Sequence, residues 1–543
     1  MGRSMLRGFT AALGLALGAS AACQDLYDYI VVGGGPAGII SAQRLAEADK
    51  KVLLIERGSG PTAATGSNHT ISWNDTLTEI DLPGLSADIG YLDVWSEYIC
   101  KDTPNYAACV LGGGVTVNYM VFVHPPAHDF EKWPQGWNWE DVAPAAERLY
   151  ERNPGTTLPS ADGKRYDQQL YSILSNFLGN LGWKSVDMIE QPDEKFEVYS
   201  YPAWNIQDGK RAGPVRTYLP LAQELDNFSL QLGSKVIRLV RSRSQVTGVE
   251  LETSAGERKT VGLADGGRVV LSAGALSTPR ILYNSGIGPR AQLMNVTATN
   301  ITTLPPQDEW LELPVGETLL DHPIFAIEVQ TNGTFGMADF DAILNGTDSS
   351  VEQYESDNSG LITEGKHRLI FFTSNVGSDG VTRYYQGSCA PTGQGVFTIT
   401  SYMTHGLTSS GSLGIDLQGN TIVTKSPYMQ TAGDQEAAQM FIQSMVDAIT
   451  APGTGLTLAS AKNASAIYQT LTVGDHFVGT AKMGTDDGRN NGTSVVDTNA
   501  KVYGMDNLFI SDASIHPDLP TGNLQATVMV AAEAAVAKIL AYE

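Results

Sequence analysis

The chain has 543 residues, 42% of them hydrophobic, enough apolar material for a large core spread over two or three folding units. Its formal charge of −24 and pI near 4.7 exclude nucleic acid and anionic membrane surfaces as expected partners, because both select a basic patch. Four cysteines with no CxxC or Cys/His ligand spacing argue against a metal site.

Arg3 and Arg7 precede a short apolar run, Phe9 to Leu17, and the small residues Gly18 to Ala22 follow. That order predicts a secretory signal peptide over residues 1–22, too short to span a bilayer, and hence an extracellular protein. Nine Asn-x-Ser/Thr sequons, from Asn68 to Asn491, agree with export. Next comes an apolar strand, Asp28 to Val32, running into Gly33-Gly-Gly35-Pro-Ala-Gly38. A helical segment follows, Ile39 to Ala48, and then a second strand, Lys51 to Ile55, that ends on Glu56. Each part has a task in dinucleotide binding: Gly33 permits the tight turn, Gly35 lets the backbone approach a pyrophosphate, and Gly38 lets helix and strand pack closely. Unpaired N–H groups at the helix start suit phosphate, and Glu56 is placed to accept ribose hydroxyls.

Cys100 and Cys109 lie nine apart and could close a small loop in an oxidising compartment, whereas Cys389 reads as a buried thiol. Two later blocks resemble further parts of one nucleotide site: Leu111-Gly-Gly-Gly-Val-Thr-Val-Asn118 and the buried-strand pattern Arg268 to Ala275. Residues 331–366 turn polar and acidic, which predicts long surface loops or a lid. Alternation in 395–402 and 413–417 predicts antiparallel strands. The C-terminal segment Ala526 to Leu540 reads as a packed helix. The predicted fold class is therefore α/β (α+β overall), with a Rossmann-like nucleotide domain interleaved with a domain built on an antiparallel sheet with flanking helices.

With these blocks in view, the sequence resembles the glucose–methanol–choline (GMC) oxidoreductases, which bind FAD. Gly274 to Gly288 matches the family's second signature, and Leu111 to Asn118 most of the first, with Val115 where a small residue is usual. Asn507 to Ser514 and Thr521 to Ala526 fit its C-terminal block. Within the family, Cys100-Lys-Asp, Cys109-Val-Leu-Gly-Gly-Gly, Asp208 to Pro214 and Gly377 to Tyr384 are similar to the flavodehydrogenase module of cellobiose dehydrogenase. The FAD motif begins just after the predicted cleavage site, so no attached haem domain is expected. The implied division assigns 25–135, 212–315 and 470–543 to the FAD-binding domain, and 136–211 and 316–469 to the substrate domain.

The resemblance implies a catalytic pair, His476 and Asn523, in front of the flavin. A neutral imidazole suits removal of an alcohol proton as a hydride leaves for flavin N5, and an amide can hold the substrate oxygen without titrating. It also implies FAD contacts from Gly33, Gly35, Gly38, Glu56, Gly113, Gly114, Asn118, the backbone near Val236, and Asp512. Asn118 and Asp512 could equally be turn and capping residues. No histidine falls within Val110 to Val123, so non-covalent FAD is expected. Asp475, Phe477 and Arg383 are candidate substrate contacts, although Arg383 could instead form a surface ion pair; Tyr199, Tyr201 and Trp204 could line a sugar site or simply pack.

Three functions remain open: a dehydrogenase converting the anomeric C1 of a sugar such as cellobiose or glucose to a lactone with external acceptors such as quinones, an oxidase of primary or aryl alcohols or a specialised metabolite that turns oxygen into peroxide, and a lyase or binding glycoprotein that keeps FAD as structure. The first is favoured, and the residue pair His476 and Asn523 argues against the third.

Overall fold

In the computed structural model, residues 26–542 are described, apart from Asp93, Asn300, Met337 and Ala338. The predicted signal peptide lies outside the described residues.

Two seven-stranded sheets organise the chain. In the first, Tyr27–Val32 sits at the centre, flanked in parallel by Val52–Ile55 and by Arg258–Leu271. Phe228–Gln231 extends the sheet beyond Val52–Ile55, and Leu508–Ile510 pairs with Arg258–Leu271, both in parallel register. Ser234–Ser242 and Gln245–Thr253 complete it as an antiparallel meander. Every residue of Val52–Ile55 is buried, which is why these strands read as continuous apolar runs rather than alternating ones.

The helices Pro36–Glu47 and Leu524–Ala541 share one core with this sheet. Leu524–Ala541 is long and apolar enough to cross a membrane, yet most of it is buried inside the protein, as a helix that is apolar all round must be. Its one acidic residue, Glu533, accepts a hydrogen bond from the Tyr218 hydroxyl at 2.7 Å and pairs with Arg44 at 3.3 Å.

The second sheet runs Leu456–Leu458, Ile324–Thr331, Val396–Met403, Thr382–Gly393, Leu369–Val376, Val198–Ser200, Lys184–Ser185. All its pairings are antiparallel except the last. The helices Gln168–Asn180 and Ala432–Thr450 cover one face, with Leu174, Phe177, Phe441, Ile442 and Met445 meeting Phe325, Ile327, Tyr385 and Phe397. The predicted strands around 395–402 and 413–417 are present as Val396–Met403 and Ser412–Ile415.

The polar stretch 331–366 differs from expectation. It contains two short helices, Phe340–Leu344 and Ser349–Asp357, whose Ile343, Val351 and Tyr354 pack on Ile71, Leu77, Leu82 and Leu85. A few spaced apolar residues were enough to order it. Cys100 and Cys109 form a disulfide, and Cys389 is a buried free thiol.

Arg383 is not available to a substrate. It is completely buried, with Nε on Asp434 Oδ1 at 2.8 Å and both terminal nitrogens on the Asp379 carboxylate at 2.8 Å. Strand alternation turns it, with Tyr385, toward the helix Ala432–Thr450, so it forms an ion pair, but a buried one rather than the surface pair expected. Replacing Arg383 by Ala leaves the buried Asp434 carboxylate without its guanidinium partner, held by the N–H groups of Thr408 and Ser409 and the Thr408 hydroxyl; a denaturant titration should show a loss of about 3 kcal/mol.

Candidate active site

The glycine turn between the strand Tyr27–Val32 and the helix Pro36–Glu47 is shaped by two close approaches. A side chain at Gly38 would meet the Gly33 carbonyl oxygen at 1.9 Å, and one at Gly33, where φ is +105°, would strike the Ser272 carbonyl at 2.4 Å. Gly35 is different. A Cβ there would have only the Ser272 oxygen, 3.9 Å away, within reach, so its open side is free for a ligand's backbone-close approach. Gly114 and Gly274 face open space as well. Gly113, at φ +56°, leans on Gly35 with 3.0 Å between its would-be Cβ and the Gly35 Cα, and Gly112 N–H donates to Gly34 O at 2.7 Å. The two glycine blocks thus form one cradle lined by backbone, a fit for a dinucleotide pyrophosphate.

Glu56 is buried at its rim. Its carboxylate accepts the N–H of Gly34 at 2.7 Å and of Gly58 at 2.8 Å, while burial pushes its pKa up. Each oxygen keeps a lone pair for a ribose hydroxyl. Ser234 N–H donates to the Glu56 carbonyl at 3.0 Å, which sets Val236 two residues further along the neighbouring strand. Asp512 accepts from Gly274 N–H, Thr278 Oγ and Ser514 N–H at 2.8, 2.6 and 2.8 Å, so it fastens the second signature to the C-terminal block. Asn118 accepts from Met120 N–H at 2.9 Å and from Arg211 at 3.2 Å. For both residues the capping role is the one visible in the contacts.

His476 and Asn523, far apart in sequence, come together between the two sheets. Asn523 Nδ2 stands 3.4 Å from His476 Nε2. Asn523 occupies the N-cap of Leu524–Ala541, but its side chain makes no capping bond and is turned to the histidine instead. Gln386 Nε2 donates to Asn523 Oδ1 at 2.7 Å, which directs the amide nitrogen toward His476 and toward Tyr402. Tyr402, opposite Gln386 on the neighbouring strand, lies against the His476 ring with centroids 5.7 Å apart.

On its other side, His476 Nδ1 is 3.0 Å from His322 Nδ1. One of the two must carry the proton. A proton on His476 Nδ1 leaves Nε2 as a free base aimed at Asn523. The Pro520 carbonyl favours a proton on the His322 ring, consistent with that tautomer, although His322 Nε2 makes no well-formed hydrogen bond. Asp321 organises the whole group. It accepts the backbone N–H of His322, His476 and Gly474 at 2.9, 2.7 and 3.0 Å, and the hydroxyl of Tyr428. Burial lowers the His476 pKa to about 4, so the ring is neutral at ordinary pH.

The flanking candidates point elsewhere. Phe477 is buried among Ala275, Leu276, Leu319 and Leu413. Asp475, at φ +55°, lies with Asp321 and Tyr428, and burial with the Asp321 charge raises its pKa to about 7. Tyr201 is sandwiched between Tyr171 and Arg165, each 3.6 Å from its ring, and Trp204 is buried, so neither offers a face to a sugar. Sequence reasoning missed Asp321, His322, Gln386 and Tyr402. The one local signal was a polar pair, Asp321-His322, set inside the apolar run Leu319 to Phe325.

The chain matches the GMC oxidoreductase family over residues 27–324 and 408–532. It is 27% identical to the oxygen-dependent choline dehydrogenase of Vibrio vulnificus over 94% of both chains, and 26% identical to the 5-(hydroxymethyl)furfural oxidase of Methylovorus over 94% of this chain and 97% of that one. Among solved structures, the formate oxidase of Aspergillus oryzae shares the fold with a TM-score of 0.76 at 20% identity, covering 95% of this chain and 98% of that one. The cradle predicts that Gly35→Val, whose backbone φ of −69° suits valine, fills the open side; the purified protein should lose its flavin absorbance while its far-UV circular dichroism stays as in the parent.

Proposed function

Because the chain belongs to the GMC oxidoreductase family and is an FAD-dependent oxidoreductase acting on CH–OH groups, we propose that it oxidises a primary or benzylic alcohol with His476 as base and Asn523 as the holder of the substrate oxygen. The observation that carries this reading is the side-by-side placement of His476 Nε2 and Asn523 Nδ2, 3.4 Å apart, with the imidazole held from behind by the Nδ1 contact with His322. Bound FAD supplies the acceptor for the hydrogen that leaves the carbinol carbon.

The chain's own residues do the rest. A hydroxyl facing both groups donates its proton to the neutral Nε2 and accepts a hydrogen bond from the amide, which stabilises the developing alkoxide. Asp321 fixes the His476 backbone, the Nδ1 contact with His322 keeps the imidazole from rotating, and Gln386 keeps the amide from flipping. Tyr402 supplies an aromatic wall beside the imidazole.

Two observations support an alcohol over an anomeric carbon. Of the three residues read as a possible sugar site, Tyr201 and Trp204 are consumed by internal packing and Tyr199 packs partly buried on the core of the second sheet, and two relatives carry names of small-alcohol enzymes. The cellobiose dehydrogenase reading remains the competitor: its supports are the matching segments in the sequence. The signal-like N-terminus and the Cys100–Cys109 disulfide support an extracellular site of action.

Anaerobic mixing with a panel of benzylic alcohols, aliphatic alcohols, cellobiose and glucose decides the substrate class. Bleaching of the flavin by the alcohols alone is expected, and bleaching by cellobiose alone would overturn the proposal. Peroxide formed in air then separates oxygen from quinones as the acceptor. His476→Ala should slow flavin reduction by about 10²–10⁴. Protonation of His476 should contribute an acid limb to the wild-type rate near pH 4 rather than near its ordinary value, since the base works only when neutral.

A further inference from the structure

Asn523 reaches the site at the end of a short loop, Leu519 to Gly522, and a second cluster of polar side chains behind that loop is not used by the chemistry above. Asp129, on the turn Ala127–Phe130, is 2% exposed. Its Oδ1 accepts both the backbone N–H of Thr521, at 2.9 Å, and the Thr521 hydroxyl, at 2.5 Å. The same hydroxyl lies 2.7 Å from His128 Nε2. On the opposite side, His405 Nδ1 is 2.6 Å from the Leu519 carbonyl and 3.8 Å from Asp129. Gly522, the link to Asn523, is pressed on Val123 so closely that a Cβ would sit 2.6 Å from it.

The carboxylate is an expensive choice for this place. Its Oδ2 is buried with no hydrogen-bond partner, and burial opposes its charge; Lys195, itself buried, and His405 offset part of that cost. The carbonyl oxygen of a neutral Asn could accept the same two Thr521 donors without that cost, but through weaker bonds. A charged acceptor does one thing better: it makes both of those bonds shorter and stronger. That fixes the loop where a small rotation would swing the Asn523 amide out of line with His476 Nε2, and misplacement of about 1 Å at such a point costs rate steeply.

We propose that Asp129 is a positioning residue for the oxidation, acting through Thr521 to hold the Asn523 amide at the substrate oxygen. The inference rests on the reading of Asn523 as the group that holds that oxygen.

A double-mutant cycle on the FAD-loaded enzyme tests it, with the limiting rate of anaerobic flavin reduction as the readout. Asp129→Asn should lower that rate about tenfold at unchanged flavin content. On an Asn523→Ala background, the same change should cost less than about twofold, because the group it positions is gone. Equal losses on both backgrounds, or a D129N enzyme as fast as the parent, would overturn the inference. If D129N does not yield folded protein, Thr521→Val removes one of the two bonds at constant volume, and the same non-additivity with N523A is expected of it. The two readings fail differently: a fast N523A enzyme removes the role of Asn523 itself and the inference with it, whereas a slow N523A enzyme with additive D129N removes only Asp129.

Discussion

One buried carboxylate governs the geometry of the proposed catalytic group. Asp321 binds three backbone N–H groups and a tyrosine hydroxyl, and two of those N–H groups belong to the histidines whose rings meet at 3.0 Å. Burying that charge is unfavourable and pushes its pKa up to about 6; the four donors offset the desolvation. The consequence is that two imidazoles from segments some 150 residues apart share one fixed frame, and the tautomer of one is set by the other. The rest follows from that frame. Asn523 needs only to be brought up to an imidazole already held, and Gln386 needs only to choose which end of the amide faces it.

How much of this could be read from the sequence depends on the range of each interaction. The turn from Gly33 to Gly38 and the acid at Glu56 were legible because strand, turn, helix and acid are consecutive, and local sterics dictate each glycine. The disulfide was legible as a short loop. His476 and Asn523 were legible through family resemblance, since nothing in their own neighbourhoods requires that they meet. His322 and Asp321 were not, because their partners lie on a segment that only the tertiary fold brings near.

Parity explains the misplaced residues. Along the strand Thr382–Gly393, Arg383 and Tyr385 face the helix Ala432–Thr450, where Tyr385 stacks on Phe441 at 4.1 Å, while Gln386 faces Asn523. A shift of one residue separates a structural ion pair from a site residue, and composition cannot see that shift. Phe477, outside any strand, turns to the core while its neighbour His476 turns to Asn523. The stretch 331–366 misled for another reason. Its average polarity hid a few apolar residues at helical spacing that were enough to dock it.

The order of strands in the nucleotide sheet also sets a timetable. Tyr27–Val32 finds one neighbour, Val52–Ile55, almost at once, but its other edge pairs with Arg258–Leu271. At typical synthesis rates of about 5–20 residues per second, that partner emerges on the order of 10–50 s later. Until then an apolar strand edge stands open, the kind of surface that pairs with the wrong chain. Leu524–Ala541, which carries Asn523 at its head, comes later still, so neither the buried sheet nor the proposed site is complete until nearly the whole polypeptide has been made. Early release of the chain would therefore yield a sticky product, and its yield should depend more on holdases and synthesis speed than the stability of the finished fold suggests.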